Sequence, residues 1–200
     1  GSEMCIRDRV SPVTKFHSGA GYQYEDSVIY GFTHTNKGHW NLCHIPLLPV
    51  TGTPTPGDYC SPFSHERESA APGYYQVFLD RYGVDAQLSS TLRCAFHKYT
   101  YPAGAAASLL ADLQRSNEHV RAWDIRKEGD NVFAGWQQTG EKMYFYAVAN
   151  RPVTGIEPVV EGDREVRIVR FGEGDGALEL RIGFSFVSEK NARENLEAEM

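Results

Sequence analysis

The chain has 200 residues, a formal net charge of −6 and 41% hydrophobic residues, which fits one globular domain. It contains no block of Lys and Arg, and binding to nucleic acid needs a clustered basic surface, so we expect no nucleic-acid partner. No apolar run approaches the ~18 residues that a membrane-spanning helix requires. The composition therefore excludes a nucleic-acid-binding protein and predicts no membrane span.

The first ten residues, GSEMCIRDRV, look foreign to the domain. They lack the apolar region and the small-residue cleavage site of a signal peptide, and they match a pattern that translated sequencing adapters can leave. We expect residues 1–10 to be an artefact of cloning or sequence assembly, which removes Cys5 from consideration. A signal peptide would then be missing together with the true N-terminus. Cys43, Cys60 and Cys94 form no CxxC unit and do not indicate a redox compartment.

Most of the chain between Tyr22 and Ser188 has the pattern of strands and turns. Apolar and polar residues alternate strictly over 178–186, and again over 75–79 and 144–149, as in strands with one buried face. Residues 87–101 predict a pair of strands or one long bent strand. Many strands separated by frequent turn signals indicate an antiparallel sandwich or barrel.

Three further segments have less regular patterns. Ser108–Leu113 follows several alanines that would allow a helix, but its neighbours favour a strand. The alternation of Val166–Phe171 slips at Val169, which predicts a bulge. The glycine cluster at 172–176 lacks the Lys and Ser or Thr of a phosphate-binding loop and predicts a hairpin turn.

The pattern becomes helical at the end of the chain. Ser188 can cap a helix, and residues 191–200 have helical composition, with Ala192 and Leu196 four apart. We expect this helix to have no packing partner within the chain, and so to begin a linker to another domain. The predicted fold class is all-β: an antiparallel β-sandwich over 11–187, followed over 188–200 by a truncated C-terminal linker helix.

The segment 31–50 is the most unusual, because one loop combines several polar and aromatic side chains: His34, His39, Trp40, Asn41 and His44. Histidines five apart with Cys43 nearby allow a zinc site, but the spacing matches no common ligand pattern. A second interpretation is a loop with a buried tryptophan and hydrogen-bonded histidines. The third is a ligand-binding loop in which Trp40 stacks on a sugar and His39 and Asn41 donate hydrogen bonds to its hydroxyls.

No segment supplies a complete active site, so we name no catalytic residue. In the extended segment 61–75, Glu66 and Glu68 would lie on the side opposite His65, Arg67 and Ser69. Two carboxylates this close in sequence cannot flank a glycosidic bond at the ~5–9.5 Å that glycosidases need.

A structural role is therefore the main expectation for these two glutamates. We expect Glu66 or Glu68 to pair with an arginine, either Arg67, Arg81 or Arg93.

The acidic loop residues near the C-terminal strands are the remaining metal candidates. Asp163, Glu173 and Asp175 could bind calcium loosely, although no EF-hand spacing supports this, so we predict no metal ligands in the chain.

Three ordered blocks resemble the N-terminal domain of family 92 glycoside hydrolases. They are Tyr30–Thr35 continuing to Ile45–Gly52, then Ser64–Glu68 with Pro72–Tyr75, and finally Ile182–Ser188 with Asn191, Ala192, Asn195 and Leu196. The resemblance covers nearly all of residues 22–200. It implies an N-terminal β-sandwich, a helical linker and an (α/α)6 catalytic barrel in the parent protein.

The resemblance also implies a function. Members of this family are calcium-dependent, inverting exo-α-mannosidases, usually exported, with the catalytic carboxylates and the calcium ligands mainly in the barrel. We therefore expect this chain to be a non-catalytic domain that contacts mannose-containing glycans and its own C-terminal domain in a secreted or periplasmic enzyme. His39, Trp40 and Asn41 are the expected substrate-binding residues. Their loop has fewer Gly, Ser and Asp residues than is common in the family, so the cleaved linkage is not predicted.

Two other functions stay open from the sequence. The chain could be a free-standing carbohydrate-binding β-sandwich with Trp40 as its platform. It could also be a docking domain, in which case its widest exposed apolar patch marks the surface that faces the barrel.

Overall fold

The protein is built from two large antiparallel sheets that pack face to face. The computed structural model describes residues 10–37 and 40–200. The strands in chain order are β1 (Ser11–Val13), β2 (Val28–Ile29), β3 (Gly31–Thr33), β4 (Asn36–Lys37), β5 (Trp40–Asn41), β6 (Leu47–Val50), β7 (Ser61–Pro62), β8 (Glu68–Ala71), β9 (Tyr74–Leu79), β10 (Val84–Ser90), β11 (Cys94–Thr100), β12 (Ser108–Ala111), β13 (Ala122–Gly129), β14 (Val132–Gln138), β15 (Lys142–Ala149), β16 (Val153–Glu161), β17 (Arg164–Phe171) and β18 (Leu178–Ser185). A 3₁₀ turn (His65–Arg67) precedes β8, and helix α1 (Glu189–Glu199) follows β18.

The six-stranded sheet has the order β1-β3-β6-β12-β17-β16, and the eight-stranded sheet has the order β13-β14-β15-β18-β11-β10-β9-β8. Two small ladders, β2-β7 and β4-β5, lie outside them. Aromatic side chains join the two large sheets: the rings of Phe133 and Phe171 are 6.2 Å apart, and those of Phe32 and Tyr99 are 6.4 Å apart. The predicted all-β sandwich is confirmed.

The period-two pattern of the sequence corresponds to burial in the eight-stranded sheet. Leu178, Leu180 and Ile182 on β18 are fully buried between the sheets. The stretch 87–101 forms a pair of strands, β10 and β11, joined in antiparallel register. Residues 108–111 form β12 at the centre of the six-stranded sheet, so the strand prediction for this segment is also confirmed.

The irregular alternation in β17 has a different cause from the predicted bulge. Ile168 and Val169 pair continuously with β16, and both side chains are fully buried on opposite faces of the strand. Because side chains on both faces of β17 are covered at this point, the strand loses the simple alternation of buried and exposed residues. The register shift lies in β16, between Val153 and Gly155, so the bulge predicted at Val169 is wrong.

The glycine cluster at 172–176 does not form a hairpin turn. It connects β17, in the six-stranded sheet, to β18, in the eight-stranded sheet. Because the two strands belong to different sheets, the connection carries the chain from one sheet to the other, and the predicted hairpin is wrong.

Helix α1 starts where the sequence predicts. The Ser188 hydroxyl accepts a hydrogen bond from the backbone N–H of Asn191 at 3.1 Å, as an N-cap does. The helix packs on the outer face of the eight-stranded sheet, where Ala192 and Leu196 are buried and β18 passes beneath them at Gly183. The expectation that this helix has no packing partner in the chain is therefore wrong. Within the described ranges, no helix is long and apolar enough to cross a membrane.

Candidate functional site

The connection from β3 to β6 contains the loop of residues 34–44 and, at the base of this loop, an unusual backbone conformation. Strands β4 and β5 form a short hairpin in this loop, with Lys37 directly opposite Trp40. At its base, Cys43 has φ of 55° and Ile45 has φ of 50°, a left-handed conformation that is uncommon for residues other than glycine. Such strain persists only where surrounding contacts fix the backbone.

A buried chain of three side chains supports the base of this loop. The Nδ1 atom of His34 lies 2.9 Å from the carbonyl oxygen of Ile45, its Nε2 lies 3.1 Å from Nε2 of His97, and Nδ1 of His97 lies 2.5 Å from the Tyr99 hydroxyl. A carbonyl only accepts, so His34 donates from Nδ1 and accepts from His97, which in turn accepts from Tyr99. Each ring nitrogen is thereby satisfied.

Burial determines the charge of both rings in this chain. It lowers the pKa of His34 to about 4, against hydrogen bonds with the Ile45 and His44 backbone that oppose the shift. It also lowers the pKa of His97 well below its ordinary value, and the neighbouring His34 acts in the same direction. Both imidazoles are neutral at pH 7, as their mutual hydrogen bond requires.

A second polar network holds the other side of the loop. Nε2 of His44 lies 2.9 Å from Oε2 of Glu118, and its Nδ1 lies 2.8 Å from the Thr35 hydroxyl. The same Glu118 oxygen accepts from the Thr139 hydroxyl at 2.8 Å. Burial lowers the pKa of His44, although Glu118 opposes the shift, so a neutral imidazole donates to the carboxylate.

Asn41 is buried inside the loop rather than facing solvent, with 2% of its surface exposed. Its side-chain oxygen accepts from the backbone N–H of Cys43 at 2.8 Å and from the Thr33 hydroxyl at 3.3 Å. Its backbone N–H donates to the carbonyl of Gly19 at 2.7 Å, and its carbonyl accepts from the Asn117 side chain at 2.7 Å. In this structure Asn41 fastens the loop to its neighbours, and its predicted contact with a sugar stays a prediction.

Trp40 is 55% exposed at the outer end of the hairpin, so the interpretation of a buried tryptophan is wrong. Its ring lies against the backbone of Gly19, where an added Cβ would come within 3.3 Å of Cζ3. His39, the third predicted substrate-binding residue, lies outside the described residues. The loop therefore presents a large aromatic side chain on a fixed base.

The second polar segment, 61–75, is not extended as expected, because residues 65–67 form the 3₁₀ turn. The turn brings His65 to Glu68, with Nδ1 2.5 Å from the carboxylate. Glu68 also accepts from the hydroxyls of Tyr22 and Tyr75, the latter at 2.6 Å. His65 and Glu68 thus share one side of the segment.

The predicted pairing of Glu66 or Glu68 with an arginine is wrong. The three arginines pair elsewhere: Arg67 with Asp80, Arg81 with Asp58 and Arg93 with Glu199. Neutral hydroxyls and a histidine satisfy Glu68 instead.

The candidate metal ligands are not brought together. In the part of the chain that the structure describes, no three His, Cys, Asp or Glu side chains are grouped so as to hold a metal ion. Asp163 precedes β17, whereas Glu173 and Asp175 follow it. An eight-residue strand separates these positions by about 25 Å, so they cannot share a calcium ion.

The model of the glycosyl hydrolase family 92 N-terminal domain matches residues 8–193. The chain belongs to this family. The match begins within the segment 1–10, of which residues 1–9 lie outside the described ranges, so the interpretation of that segment as an artefact stays a prediction. Among curated proteins, none matches the chain significantly.

Solved structures share the fold of this family 92 N-terminal domain. A GH92 alpha-mannosidase from Bacteroides thetaiotaomicron, BT3965, matches 96% of this chain with a TM-score of 0.85 and 24% identity. The GH92 glycosyl hydrolase ccman5 matches 98% with a TM-score of 0.81 and 25% identity. The inverting GH92 mannosidase BT2199 from Bacteroides thetaiotaomicron VPI-5482 matches 98% with a TM-score of 0.80 and 21% identity. The chain spans 31%, 31% and 29% of the lengths of these three proteins.

Sequence reasoning missed the residues that hold the loop of this family 92 domain from outside it. His97 occupies an inward position of β11, between the partly exposed Phe96 and Lys98, so the alternation alone marks it as a buried polar residue. Glu118 and Thr139 lie in connections with no repeating pattern. Only the polar run around Asn117 gave a signal, and it does not reveal a partner 74 residues away.

Proposed function

We propose that this family 92 domain is the N-terminal, carbohydrate-contacting and structural domain of an inverting exo-α-mannosidase acting on mannose-containing glycans. The observation that carries the proposal is the exposure of Trp40 on a loop fixed by two buried hydrogen-bond networks. An aromatic side chain on a rigid support is a suitable surface for the apolar face of a sugar. The mannosidases with the same fold support the choice of sugar.

The domain is proposed to be non-catalytic alone. The carboxylates nearest to the loop and to the second polar segment have structural partners: Glu118 with His44 and Thr139, and Glu68 with two tyrosines and His65. Both carboxylates are therefore engaged in structural contacts, and we assign them neither the acid nor the base role that glycoside hydrolysis requires. We assign the acid and the base to a C-terminal (α/α)6 domain, which is the proposed partner of this one.

Calcium belongs to the same proposal. The described acidic loops do not converge, so they do not fit a calcium ion. The parent enzyme, secreted or periplasmic, would hold the ion mainly through residues of its catalytic domain.

The test compares the 200-residue chain with its Trp40→Ala variant. Methyl α-mannoside is titrated into each by calorimetry, and we expect the variant to bind roughly tenfold more weakly because the stacking surface is lost. Tyr24→Ala is the matched control, because Tyr24 is also strongly exposed and its ring stacks on His65, which is not part of the loop. A flat response of the unchanged chain up to high millimolar sugar would contradict the sugar contact.

A hydrolysis assay tests the non-catalytic role separately. The chain is incubated with an α-linked mannobiose and calcium, and we expect no release of mannose. Turnover by these residues alone would overturn this part of the proposal.

The alternative function is a free-standing carbohydrate-binding module, which the same exposed Trp40 would serve. The gene beyond the codon for Met200 separates the two functions. A reading frame continuing into a helical, acidic, tryptophan-rich region supports the enzyme, whereas a stop codon supports the binding module.

A further inference from the structure

A cleft of about 220 Å³ lies beside the 34–44 loop, and the function proposed above does not use it. Three residues of the loop and four residues from other parts of the chain line it: Lys37, Leu42, His44, Glu118, Gly140, Glu141 and Phe186. Lys37 is the hairpin partner of Trp40, so the cleft and the exposed ring share one short ladder. A ligand that contacts Trp40 therefore passes close to this cleft.

The carboxylate of Glu118 is held in the cleft with one oxygen anchored and the other available. His44 and Thr139, which are 4% and 1% exposed, both donate to Oε2. His44 is itself held by the hydroxyl of Thr35, which fixes the orientation of the ring. Among the described residues, none donates to Oε1, and the side chain is 41% exposed. Anchoring of this kind prepares an acceptor for a ligand at little cost in side-chain entropy.

The charge state of Glu118 fits an acceptor. Partial burial raises its pKa, but the hydrogen bonds from Thr139 and His44, together with the charge of Lys37, more than offset this, and the net pKa is lowered. Glu118 is therefore ionised at neutral pH. With Glu141 on the same cleft and Lys37 as the opposing charge, the lining disfavours anionic ligands such as phosphorylated sugars.

The rest of the lining is suited to a sugar ring. Phe186 and Leu42 offer apolar surface for the C–H face of a pyranose, while the Lys37 ammonium offers a donor. A small number of fixed polar groups beside apolar side chains is the usual composition of a small-molecule site. A carboxylate acceptor and an ammonium donor at one cleft match vicinal hydroxyls, which both donate and accept.

We propose that this cleft binds a second hexose unit of a neutral glycan, next to the sugar that contacts Trp40, with Oε1 of Glu118 accepting hydrogen bonds from its hydroxyls. The proposal rests on the proposed function, because the first sugar is assigned to Trp40. It adds a subsite and a ligand class, and it makes Glu118 a determinant of affinity for oligosaccharides over monosaccharides.

The experiment compares the 200-residue chain with Glu118→Gln, Trp40→Ala and Glu66→Gln, where Glu66 is a surface glutamate away from the cleft. Each protein is titrated by calorimetry with methyl α-mannoside and with three α-linked mannobioses that differ in linkage. We expect at least one mannobiose to bind the unchanged chain roughly tenfold more tightly than the monosaccharide. Glu118→Gln should lower the ratio of mannobiose affinity to monosaccharide affinity towards one, Trp40→Ala should weaken the binding of both saccharides, and Glu66→Gln should change neither.

The outcomes separate the two proposals. If Glu118→Gln binds every mannobiose like the unchanged chain while Trp40→Ala is weakened, the cleft is overturned and the proposed function stands. If the unchanged chain binds neither kind of saccharide, both are overturned.

A second measurement uses only the unchanged chain, so it tests the subsite even if a variant does not fold. The backbone amide resonance of Gly140, at the rim of the cleft, is followed by NMR in the unchanged chain. A shift with mannobiose but not with methyl α-mannoside supports the subsite, and an unmoved resonance at saturating mannobiose overturns it.

Discussion

The 34–44 loop and helix α1 are both held against the sandwich, but by different physical means. The loop is positioned by hydrogen bonds between buried polar groups, with two non-glycine residues in left-handed backbone at its base. Along its length the helix is positioned mainly by apolar contact, with Ala192 and Leu196 buried over Gly183, and polar contacts are added at its two ends. Hydrogen bonds fix direction and register, whereas apolar contact fixes only distance and shape. The polar support lies under the segment proposed to bind a ligand, where direction matters most.

Acidification should produce the largest effect, and it should act on the loop. The folded-state pKa of His34 is about 4, below its ordinary value of 6.5, so the unfolded chain takes up the proton first. The contribution of neutral His34 to the free energy of unfolding is therefore fully present above pH 6.5. It is lost as the pH drops towards 4, which lowers the free energy of unfolding by on the order of 3 kcal/mol. His97 and His44, whose pKa values are also lowered, add to the same loss. Urea denaturation at pH 7.5 and at pH 4.5 measures it.

The control for this prediction removes one of the titrating rings. His97→Phe should flatten the loss of stability on acidification, whereas replacement of the exposed His119 by Ala should leave it unchanged. The pKa of His65 is raised by its hydrogen bond to Glu68, so its contribution is lost only as the pH rises above 6.5. Equal stability of the unchanged chain at the two pH values would show that the buried histidines are not what holds the loop.

Gly183→Ala should have the next largest effect, and it should act on the helix. A Cβ at this position would lie 2.1 Å from the carbonyl oxygen of Ala192 and 2.9 Å from Cβ of Leu196, so the helix must move away from β18. We expect the free energy of unfolding to fall by about 2–3 kcal/mol, as overpacking typically costs. Gly155→Ala is the matched control in another strand, because nothing lies within 4 Å of an added Cβ there. Comparable losses in the two variants would contradict the tight contact.

Asn41→Ala should lower the free energy of unfolding by a smaller amount, about 1–2 kcal/mol, because it changes contacts of the loop alone. The substitution leaves the buried N–H of Cys43 without its acceptor, and it removes one of the two acceptors of the Thr33 hydroxyl, the other being the carbonyl of Ser11. Denaturation measures the cost, and near-UV circular dichroism reports the change around Trp40. Asn36→Ala, at the half-exposed partner position of the same hairpin, should be nearly neutral. An Asn41→Ala variant as stable as Asn36→Ala would disprove the anchoring role of Asn41.

The sequence predicts helix α1 and the strand before it better than it predicts the 34–44 loop. Alternation over 178–186 correctly identifies β18, and Ser188 with the spacing of Ala192 and Leu196 correctly identifies α1, because these signals are local. The surface against which the helix packs could not be predicted, because that contact depends on Gly183 in a strand outside the helix. The bulge at Val169 was misplaced because burial on both faces imitates a shift in register.

The sequence located the candidate site, but it did not show which side chain of the site has which role. The cluster of histidine, tryptophan and asparagine marked the loop correctly as unusual, yet no local pattern distinguishes a side chain that faces solvent from one that satisfies the backbone. Asn41 and Trp40 are neighbours with opposite environments, 2% and 55% exposed. Their difference is set by Gly19 and Asn117, which are far away in sequence.

Helix α1 is fixed at both of its ends as well as along its length. Glu189 in the first turn forms an ion pair with Arg126 on β13, and Glu199 in the last turn bonds to Thr91 and Arg93 beside β11. These anchor points lie on opposite sides of β18 in the sheet, so the helix crosses the strands between β13 and β11 and connects them. Because the helix is held at both ends and along its length, its orientation is fixed relative to the sandwich and so to the loop that carries Trp40.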